Sequence, residues 1–220
     1  MIELKEKFLG CMYGLAIGDA LGFPAEFMNL EKIYETFGAN GVTGFGSAQK
    51  NSRVIPALCH PPGTYSDDTQ MSLATARALI NSNTASLEDI MNEVTREYVA
   101  WAGSSENNRA PGNTCMKGIR KLNRGVHWTN SGDYESKGNG AAIRTAPVGL
   151  YFYDSFEKLV ETARVVSLCT HGHPTGVAAG IGTAYLTALA LKGNEPTEIL
   201  RKLLKLGDNL DKDFTDKIRE

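Results

Sequence analysis

Hydrophobic residues in the first part of this chain recur every three or four positions, which is the period of a helix rather than of a strand. Between Glu3 and about Ala20 they fall at Leu4, Phe8, Cys11, Met12 and Leu15. Glycines in the same segment follow one another at intervals of four residues, at Gly10, Gly14, Gly18 and Gly22. Such a row forms a smooth ridge that lets another helix approach closely. We therefore predict a first helix that is central and tightly packed.

Helix-start and helix-stop signals divide the rest of the chain into similar units. Ser86 opens one helix with a capping-box pattern, while Pro196 and Gly207 mark the first turn and the end of the last one. The other segments with helical spacing are Thr69 to about Asn81, a short helix from Thr114, Ser155 to Val166, and Pro174 to Leu191. Residues 38–65 and 125–140 are predicted to be loops. No stretch alternates strictly, so we predict an all-α, compact multi-helix globule with a single domain over residues 1–220.

Net charge, cysteine spacing and the N-terminal segment indicate which partners and which cellular compartment to expect. The formal charge of −2 and the pI near 6.1 give no electrostatic reason to expect nucleic acid or an anionic membrane as an obligatory partner. The four cysteines are widely spaced without a CxxC pattern, which fits a reducing compartment. The N-terminal MIELKEKF is charged, and no uninterrupted apolar run follows it, so it does not resemble a secretory signal. We expect a soluble, cytoplasmic monomer that does not enter a membrane.

The first candidate functional residues are Ser66, Asp67 and Asp68, which lie where a loop runs into the predicted helix of residues 69–81. Their oxygens can converge on a hard cation, and ligands that include no Cys or His favour magnesium or calcium over zinc. The simpler interpretation is helix capping, because Ser and Asp are preferred at a helix N-terminus and carboxylates suit its positive end. Either interpretation places these three residues at the start of a helix.

Two further carboxylates follow the first helix in the segment GDALGFPAE. Glu26 stands beyond the helix on a chain held by Pro24, and it is either an ordinary surface glutamate or a functional one. Asp19 adjoins the glycine ridge, and we expect it to be a buried carboxylate that supports the structure or the metal ligands from behind.

A glycine-rich segment and a histidine pair complete the candidate residues. Gly138, Asn139, Gly140 and Ala141 can present backbone N–H groups to an anion such as phosphate, although an Asn-Gly pair is also ordinary turn punctuation. Arg144 follows, and it could form an ion pair in the core. His171 and His173 lack a nearby third nitrogen or sulfur ligand, so substrate contact or helix capping is favoured over zinc.

Taken in this order, the motifs GDALGFPAE, YSDDTQM, GNGAAIRTAPVGL and THGHPTG resemble the ADP-ribosylglycohydrolase family, including its dinitrogenase-reductase-activating members. The resemblance spans residues 10 to about 190. It implies an all-α fold with a binuclear magnesium centre, an ADP-ribose cleft, and removal of ADP-ribose from a modified protein side chain or small acceptor through cleavage of the ribose C1 glycosidic bond.

The resemblance also assigns roles to individual residues. Ser66, Asp67 and Asp68 match the first group of metal ligands, and Glu26 matches a catalytic or metal-gating glutamate. Either Glu26 or Asp67 would position the attacking water. The segment from Gly138 to Ala141 would lie along ADP-ribose, and His171 would contact its ribose or phosphates.

The C-terminal part of the chain departs from the family pattern. Relatives end with a Gly-Asp-x-Asp-Thr segment that supplies further metal ligands, and Asp211, Asp213 and Thr215 imitate it only loosely. We interpret the segment LDKDFTDK (residues 210–217) as a solvated charged tail and expect the domain to be C-terminally incomplete. Two magnesium ions follow from the resemblance, whereas the ligands present support one. The alternatives to a hydrolase are therefore a non-catalytic ADP-ribose-binding or structural protein on the same fold, or an unrelated metal phosphohydrolase.

Overall fold

Helices form almost all the regular structure of this protein in the computed structural model, which describes residues 3–45, 60–82 and 86–220. They are α1 (Leu4–Gly22), α2 (Leu30–Phe37), α3 (Asp67–Asn81), α4 (Leu87–Ala102), α5 (Asn113–Asn123), α6 (Trp128–Ser131), α7 (Ala146–Tyr151), α8 (Phe156–Leu168), α9 (Pro174–Leu191), α10 (Pro196–Gly207) and α11 (Lys212–Arg219). Short 3-10 helices span Phe23–Ala25 and Ala142–Arg144. The all-α prediction is confirmed. The predicted loop of residues 38–65 lies partly outside the described residues, and Cys59 lies outside them.

The core is built around α9, which packs against α7, α8, α10, α11 and the second 3-10 helix. Its small residues permit this crowding, because a side chain at Gly180 would overlap the Ser167 hydroxyl and one at Gly149 of α7 would overlap the Ala184 carbonyl. A second layer pairs α3 with α4. The buried apolar side chains of this layer include Met71, Leu79, Ile90, Val94 and Tyr98. The smooth helix predicted over residues 174–191 is therefore the central one.

The first helix does not take the central position that its glycine spacing predicts. Ala20 is its one buried residue, and among the described residues nothing lies within 4 Å of a Cβ added at Gly10, Gly14, Gly18 or Gly22. The helix instead contacts the body through other side chains, such as that of Lys7, which donates from Nζ to the Leu191 carbonyl at 2.8 Å. The prediction of a tightly packed glycine ridge is wrong, because residue spacing identifies a smooth helix face but does not supply a neighbour for it.

Two segments are long and apolar enough to cross a membrane when judged by length and mean hydropathy alone. They are Leu4–Ala25 and Pro174–Leu191. In this structure 61% of the Pro174–Leu191 window is buried, as in a core helix, whereas 17% of the window near the N-terminus is buried. The expectation that the protein does not enter a membrane stays a prediction.

The C-terminal segment is folded rather than a solvated tail. Asp211 caps α11 by accepting a hydrogen bond from the Phe214 backbone N–H at 2.9 Å, and Asp213 pairs with Lys137. The Phe214 ring lies against Gly182 of α9, where an added Cβ would come within 2.6 Å of it, and Thr215 is buried. Asp211 and Asp213 are thus engaged in capping and in a surface ion pair, so the tail interpretation is wrong.

We predict opposite effects for two glycine-to-alanine substitutions. Gly149→Ala should destabilise the protein by about 1–3 kcal/mol, because its methyl group must displace α9 backbone. Gly14→Ala should stabilise it by about 0.5–1 kcal/mol, because alanine favours the helix and the site is open. Urea unfolding monitored by circular dichroism measures both. Destabilisation by Gly14→Ala would show that a neighbour covers this face of α1.

Candidate functional site

The candidate cation site lies at the N-terminus of α3. Ser66 is the N-cap, and its Oγ accepts a hydrogen bond from the Asp68 backbone N–H at 3.2 Å. The capping interpretation is therefore confirmed for Ser66. The Asp67 carboxylate instead turns toward the segment before α5, where its Oδ2 accepts from the Gly112 backbone N–H at 3.1 Å. Since the serine performs the capping, the aspartate side chains are free for another purpose.

Asp19 of α1 fixes this helix start from behind. Its Oδ2 accepts hydrogen bonds from the backbone N–H groups of Ser66 at 2.9 Å and Thr69 at 3.0 Å, and from the Thr69 hydroxyl at 2.5 Å. The expectation that Asp19 supports the site structurally agrees with this arrangement. It also explains how the otherwise loosely packed α1 is held to α3.

Burial and mutual repulsion dominate the electrostatics of the aspartate pair. Burial raises the pKa of Asp67 to about 8; the charge of Asp68 adds to the rise and the Gly112 N–H opposes it, while Glu26 contributes a smaller increase. Burial, with help from Asp19, raises the pKa of Asp68 to about 6. No lysine or arginine within the described ranges forms an ion pair with Asp19, Asp67 or Asp68. The site thus gathers negative charge without a cationic side chain.

These donors fit a hard divalent cation, since carboxylate and hydroxyl oxygens are what magnesium and calcium prefer. Asp67 and Asp68, with the Ser66 hydroxyl beside them, are the residues that could hold it. In the parts of the chain that the structure covers, no three His, Cys, Asp or Glu side chains converge as a ready-made metal site. The protein groups at hand therefore suffice for one cation that retains several waters, rather than for an enclosed site.

A polar segment before α5 completes the surroundings of Asp67, and sequence reasoning missed it. The Asp67 N–H donates to the Arg109 carbonyl at 3.0 Å, and Gln70 Nε2 donates to the Glu106 carbonyl at 3.0 Å. Trp101 in turn donates from Nε1 to Gln70 Oε1 at 3.0 Å. Most of these contacts with Asp67 and Gln70 are made by backbone N–H and C=O groups, which every residue type carries. The sequence therefore contains no signal for this segment.

The glycine-rich loop lies next to the buried His171 side chain. An added Cβ at Gly140 would come within 2.8 Å of Cys115 Sγ and 2.6 Å of His171 Cε1, so only glycine fits there. Gly138 and Asn139 are exposed, whereas Ala141 is fully buried. The backbone N–H groups of Asn139 and Gly140 have no acceptor within the described structure, and they remain available to an anion, whereas Ala141 has no exposed surface.

The two histidines of THGHPTG have separate tasks. His171 Nδ1 lies 2.8 Å from the Thr170 hydroxyl oxygen, and burial followed by nearby Arg144 lowers the pKa of His171 to about 3, against a weak opposing effect of Asp133. A neutral His171 is suited to hydrogen bonding rather than to proton transfer near neutral pH. His173 is the N-cap of α9, because its Nδ1 accepts from the Thr175 backbone N–H at 3.2 Å.

Short connections link the aspartate site to the glycine-rich loop. Ser72 of α3 is completely buried, and its hydroxyl lies 2.9 Å from the Asp68 carbonyl and 2.8 Å from the Ile143 carbonyl. Cys115 is the neighbour of both Gly112 and Gly140. The sequence motifs thus meet through α3 and the start of α5, with Glu26 close enough to influence the Asp67 charge.

Comparisons with known proteins agree with this arrangement. A family model described as ADP-ribosylglycohydrolase matches residues 1–220. An uncharacterized protein of Archaeoglobus fulgidus is 31% identical over 98% of this chain and 66% of its own length. The ADP-ribosyl-[dinitrogen reductase] glycohydrolase of Rhodospirillum rubrum is 33% identical over 80% of this chain and 55% of its own length.

A solved structure shows the same fold. The ADP-ribosylglycohydrolase-related protein complex is 26% identical, with a TM-score of 0.61 over 94% of this chain and 62% of that one. The chain therefore spans between about half and two thirds of the length of the relatives it matches.

We predict that Asp67 makes metal-free stability fall as the pH rises. A carboxyl whose pKa is raised on folding binds more protons in the folded state, so the folded form is favoured below the unfolded pKa and loses that advantage up to about pH 8. Asp67→Asn should therefore gain a few kcal/mol, on the order of 1.4 per pKa unit, relative to wild type between pH 5 and pH 9.

Urea unfolding in EDTA at several pH values measures this difference. Asp154→Asn, which changes an exposed aspartate, is the matched control and should follow wild type. If the free energy of unfolding depended on pH in the same way for wild type and Asp67→Asn, the pKa of Asp67 would not be raised on folding, and the prediction would be contradicted.

Proposed function

Since this chain belongs to the ADP-ribosylglycohydrolase family, we propose that it is a magnesium-dependent hydrolase that removes ADP-ribose from a modified protein side chain or small acceptor. The observation that carries the proposal is the pair of adjacent carboxylates formed by buried Asp67 and half-buried Asp68. This pair is linked through α3 and α5 to a loop whose backbone N–H groups lack an acceptor among the described residues. One part of the site suits a cation and the other an anion. ADP-ribose combines ribose hydroxyls, which a cation can hold, with a pyrophosphate.

Magnesium would be held by Asp67 and Asp68 with the Ser66 hydroxyl beside them. Bound there, it would neutralise the two carboxylates and orient ribose hydroxyls. The proposal gains support from the raised pKa values of both aspartates, because burial first, and a neighbouring carboxylate second, disfavour the charged form that a bound cation would stabilise. We assign one ion to the ligands described, because a second divalent cation nearby would need further carboxylates to offset the repulsion.

In the proposed reaction, water attacks ribose C1 while the bond from C1 to the acceptor atom breaks. The C1 centre acquires oxocarbenium character, so a carboxylate that takes the water proton lowers the barrier. Glu26 is our first candidate for this base and Asp67 the second. The Asp67 Oδ2 already accepts from Gly112, whereas Glu26 follows a short 3-10 helix and lies near enough to raise the Asp67 pKa.

We assign the pyrophosphate to the glycine-rich loop. The N–H groups of Asn139 and Gly140 would donate to its oxygens, Gly138 would allow the backbone close approach, and buried Ala141 would support the loop from beneath. His171, neutral and next to this loop, would donate to a ribose or phosphate oxygen. The acceptor released from C1 is a protein side chain or a small molecule.

We predict that Asp68→Ala weakens magnesium binding by at least about tenfold, since one of two anionic ligands is removed. Asp67→Ala should have an effect at least as large. Isothermal titration calorimetry at pH 8 with Asp154→Ala as the exposed-residue control measures this. Unchanged magnesium affinity in both variants would reduce the aspartate pair to a part of the helix start.

Hydrolysis is tested by the release of ADP-ribose from ADP-ribosylated arginine and serine peptides, with magnesium or EDTA. We expect slow, magnesium-dependent release by residues 1–220, because one cation clamps the ribose incompletely, and a loss of about 100-fold or more in Glu26→Gln. Magnesium-independent release would contradict the proposal.

A second candidate is a non-catalytic ADP-ribose-binding protein. The observation that favours it is that no three metal-ligating side chains converge within the described parts of the chain. Binding of ADP-ribose without any release from either peptide would select this candidate. Release that disappears in Glu26→Gln would eliminate it.

A further inference from the structure

Arg144 is the largest fully buried side chain in the described structure, and it lies directly behind the glycine-rich loop. It forms no ion pair with a carboxylate among the described residues, so the expected core ion pair is absent there. Its guanidinium instead donates to backbone carbonyls and one hydroxyl, and it lies over the Tyr98 ring at 5.3 Å from the centroid. A buried charge held only by dipoles is costly, which calls for a specific role.

Two of these hydrogen bonds join the loop to the segment that bears His171. Arg144 donates from Nη1 to the Gly140 carbonyl, and from Nη2 to the Thr170 hydroxyl oxygen at 2.5 Å. Nη2 also donates to the Val166 carbonyl at 2.8 Å. The flat fork of arginine reaches these acceptors simultaneously, which the single ammonium of lysine cannot do. Arg144 thereby fixes the spacing between Gly140 and Thr170.

The contact with Arg144 also determines the direction of the next hydrogen bond. Arginine is only a donor, so Thr170 Oγ1 accepts from it and keeps its own hydrogen for another partner. His171 Nδ1, 2.8 Å away, is the only other contact of that hydroxyl in the described structure. If Nδ1 carried a proton and donated, the hydroxyl hydrogen of fully buried Thr170 would have no acceptor. Complete pairing therefore requires an unprotonated Nδ1.

We infer that Arg144 and Thr170 are positioning residues that hold His171 in the Nε2–H tautomer, so that it presents a hydrogen-bond donor beside Gly138 and Gly140. An added Cβ at these glycines would lie 3.4 Å and 3.0 Å from Nε2, which places this nitrogen against the loop. Nε2 has no hydrogen-bond partner among the described residues. The ligand class it fits is an oxygen acceptor such as a phosphate or a ribose hydroxyl.

The charge of Arg144 reinforces the same state of His171. Burial is the main cause of the lowered pKa of His171, and the fixed positive charge of Arg144 lowers it further. A doubly protonated ring would also turn Nδ1 into a donor that faces the Thr170 hydroxyl. The tautomer follows from the hydrogen bonds alone, whereas its contact with ADP-ribose rests on the proposed function.

Long-range ¹H–¹⁵N NMR of the ¹⁵N-labelled protein at pH 7 tests the tautomer without any ligand. We expect the His171 signals, identified by their loss in His171→Gln, to show an unprotonated Nδ1 and a protonated Nε2. Thr170→Ser should keep this pattern because it keeps the hydroxyl. Thr170→Val should produce a mixture of tautomers because it removes the donor. A protonated Nδ1 in wild type would overturn the inference, whether or not the variants fold.

ADP-ribose titration gives an independent readout of the positioning role. Thr170→Val should weaken binding by about twofold to tenfold, the reciprocal of the fraction of His171 that keeps the Nε2–H tautomer, while Thr170→Ser should bind as wild type. Equal affinity of Thr170→Val and wild type would overturn the positioning role. Failure of wild type to bind ADP-ribose would instead overturn the proposed function, and the NMR result alone would then decide the tautomer.

Discussion

Folding places the Asp67 and Asp68 carboxylates next to each other at the first turn of α3 and removes much of their hydration. The groups around them reduce the free-energy cost of this desolvation. The positive end of the helix dipole and the Gly112 N–H offset part of the charge on Asp67. Asp19 adds a third carboxylate to the region but uses it to hold the Ser66–Thr69 backbone. These contacts orient the carboxylates without neutralising them, so a cation remains the natural complement.

A positive charge is also buried without a charged partner among the described residues, on the other side of the site. Arg144 is completely buried, and backbone carbonyls and the Thr170 hydroxyl solvate it instead of a carboxylate. Were Arg144 paired directly with Asp67 or Asp68, the two charges would cancel and neither would act on a ligand. Packing keeps them apart, with Cys115 between the surroundings of Asp67 and those of Arg144. The site therefore keeps a region rich in carboxylates apart from a region with unpaired backbone N–H groups in the described structure, which is the arrangement that the proposed function requires.

Helical periodicity and capping are local properties, so sequence patterns predicted the longer helices of the chain. The short helices α2, α6 and α7 were not predicted, and α6 lies within the predicted loop of residues 125–140. The start of α3 at Ser66 and that of α9 at His173 follow from such signals. The position of α1 could not be obtained in this way, since a glycine row is equally regular whether or not a helix packs on it. The last helix, α11, was missed because its short and strongly charged sequence resembles a tail. Its Phe214 ring packs against Gly182 of α9, and this tertiary contact cannot be read from the local sequence.

The parts of the site that escaped sequence reasoning share one physical property: they act through backbone groups or through other residues. Gly112 matters for its N–H and Gly140 for the absence of a Cβ, and both contacts exist only after α3, α5 and the loop have assembled. Arg144 was recognised as a possible ion-pair partner, yet its acceptors are the nearby Gly140 carbonyl and two groups distant in sequence, the Val166 carbonyl and the Thr170 hydroxyl. Each of these groups acts on a neighbouring residue and not on a ligand. Its role depends on which atom donates and which accepts the hydrogen bond, and residue type alone does not determine that. The orientation of the Thr170 hydroxyl is the clearest case, since one donor from Arg144 is enough to set the protonation pattern of His171.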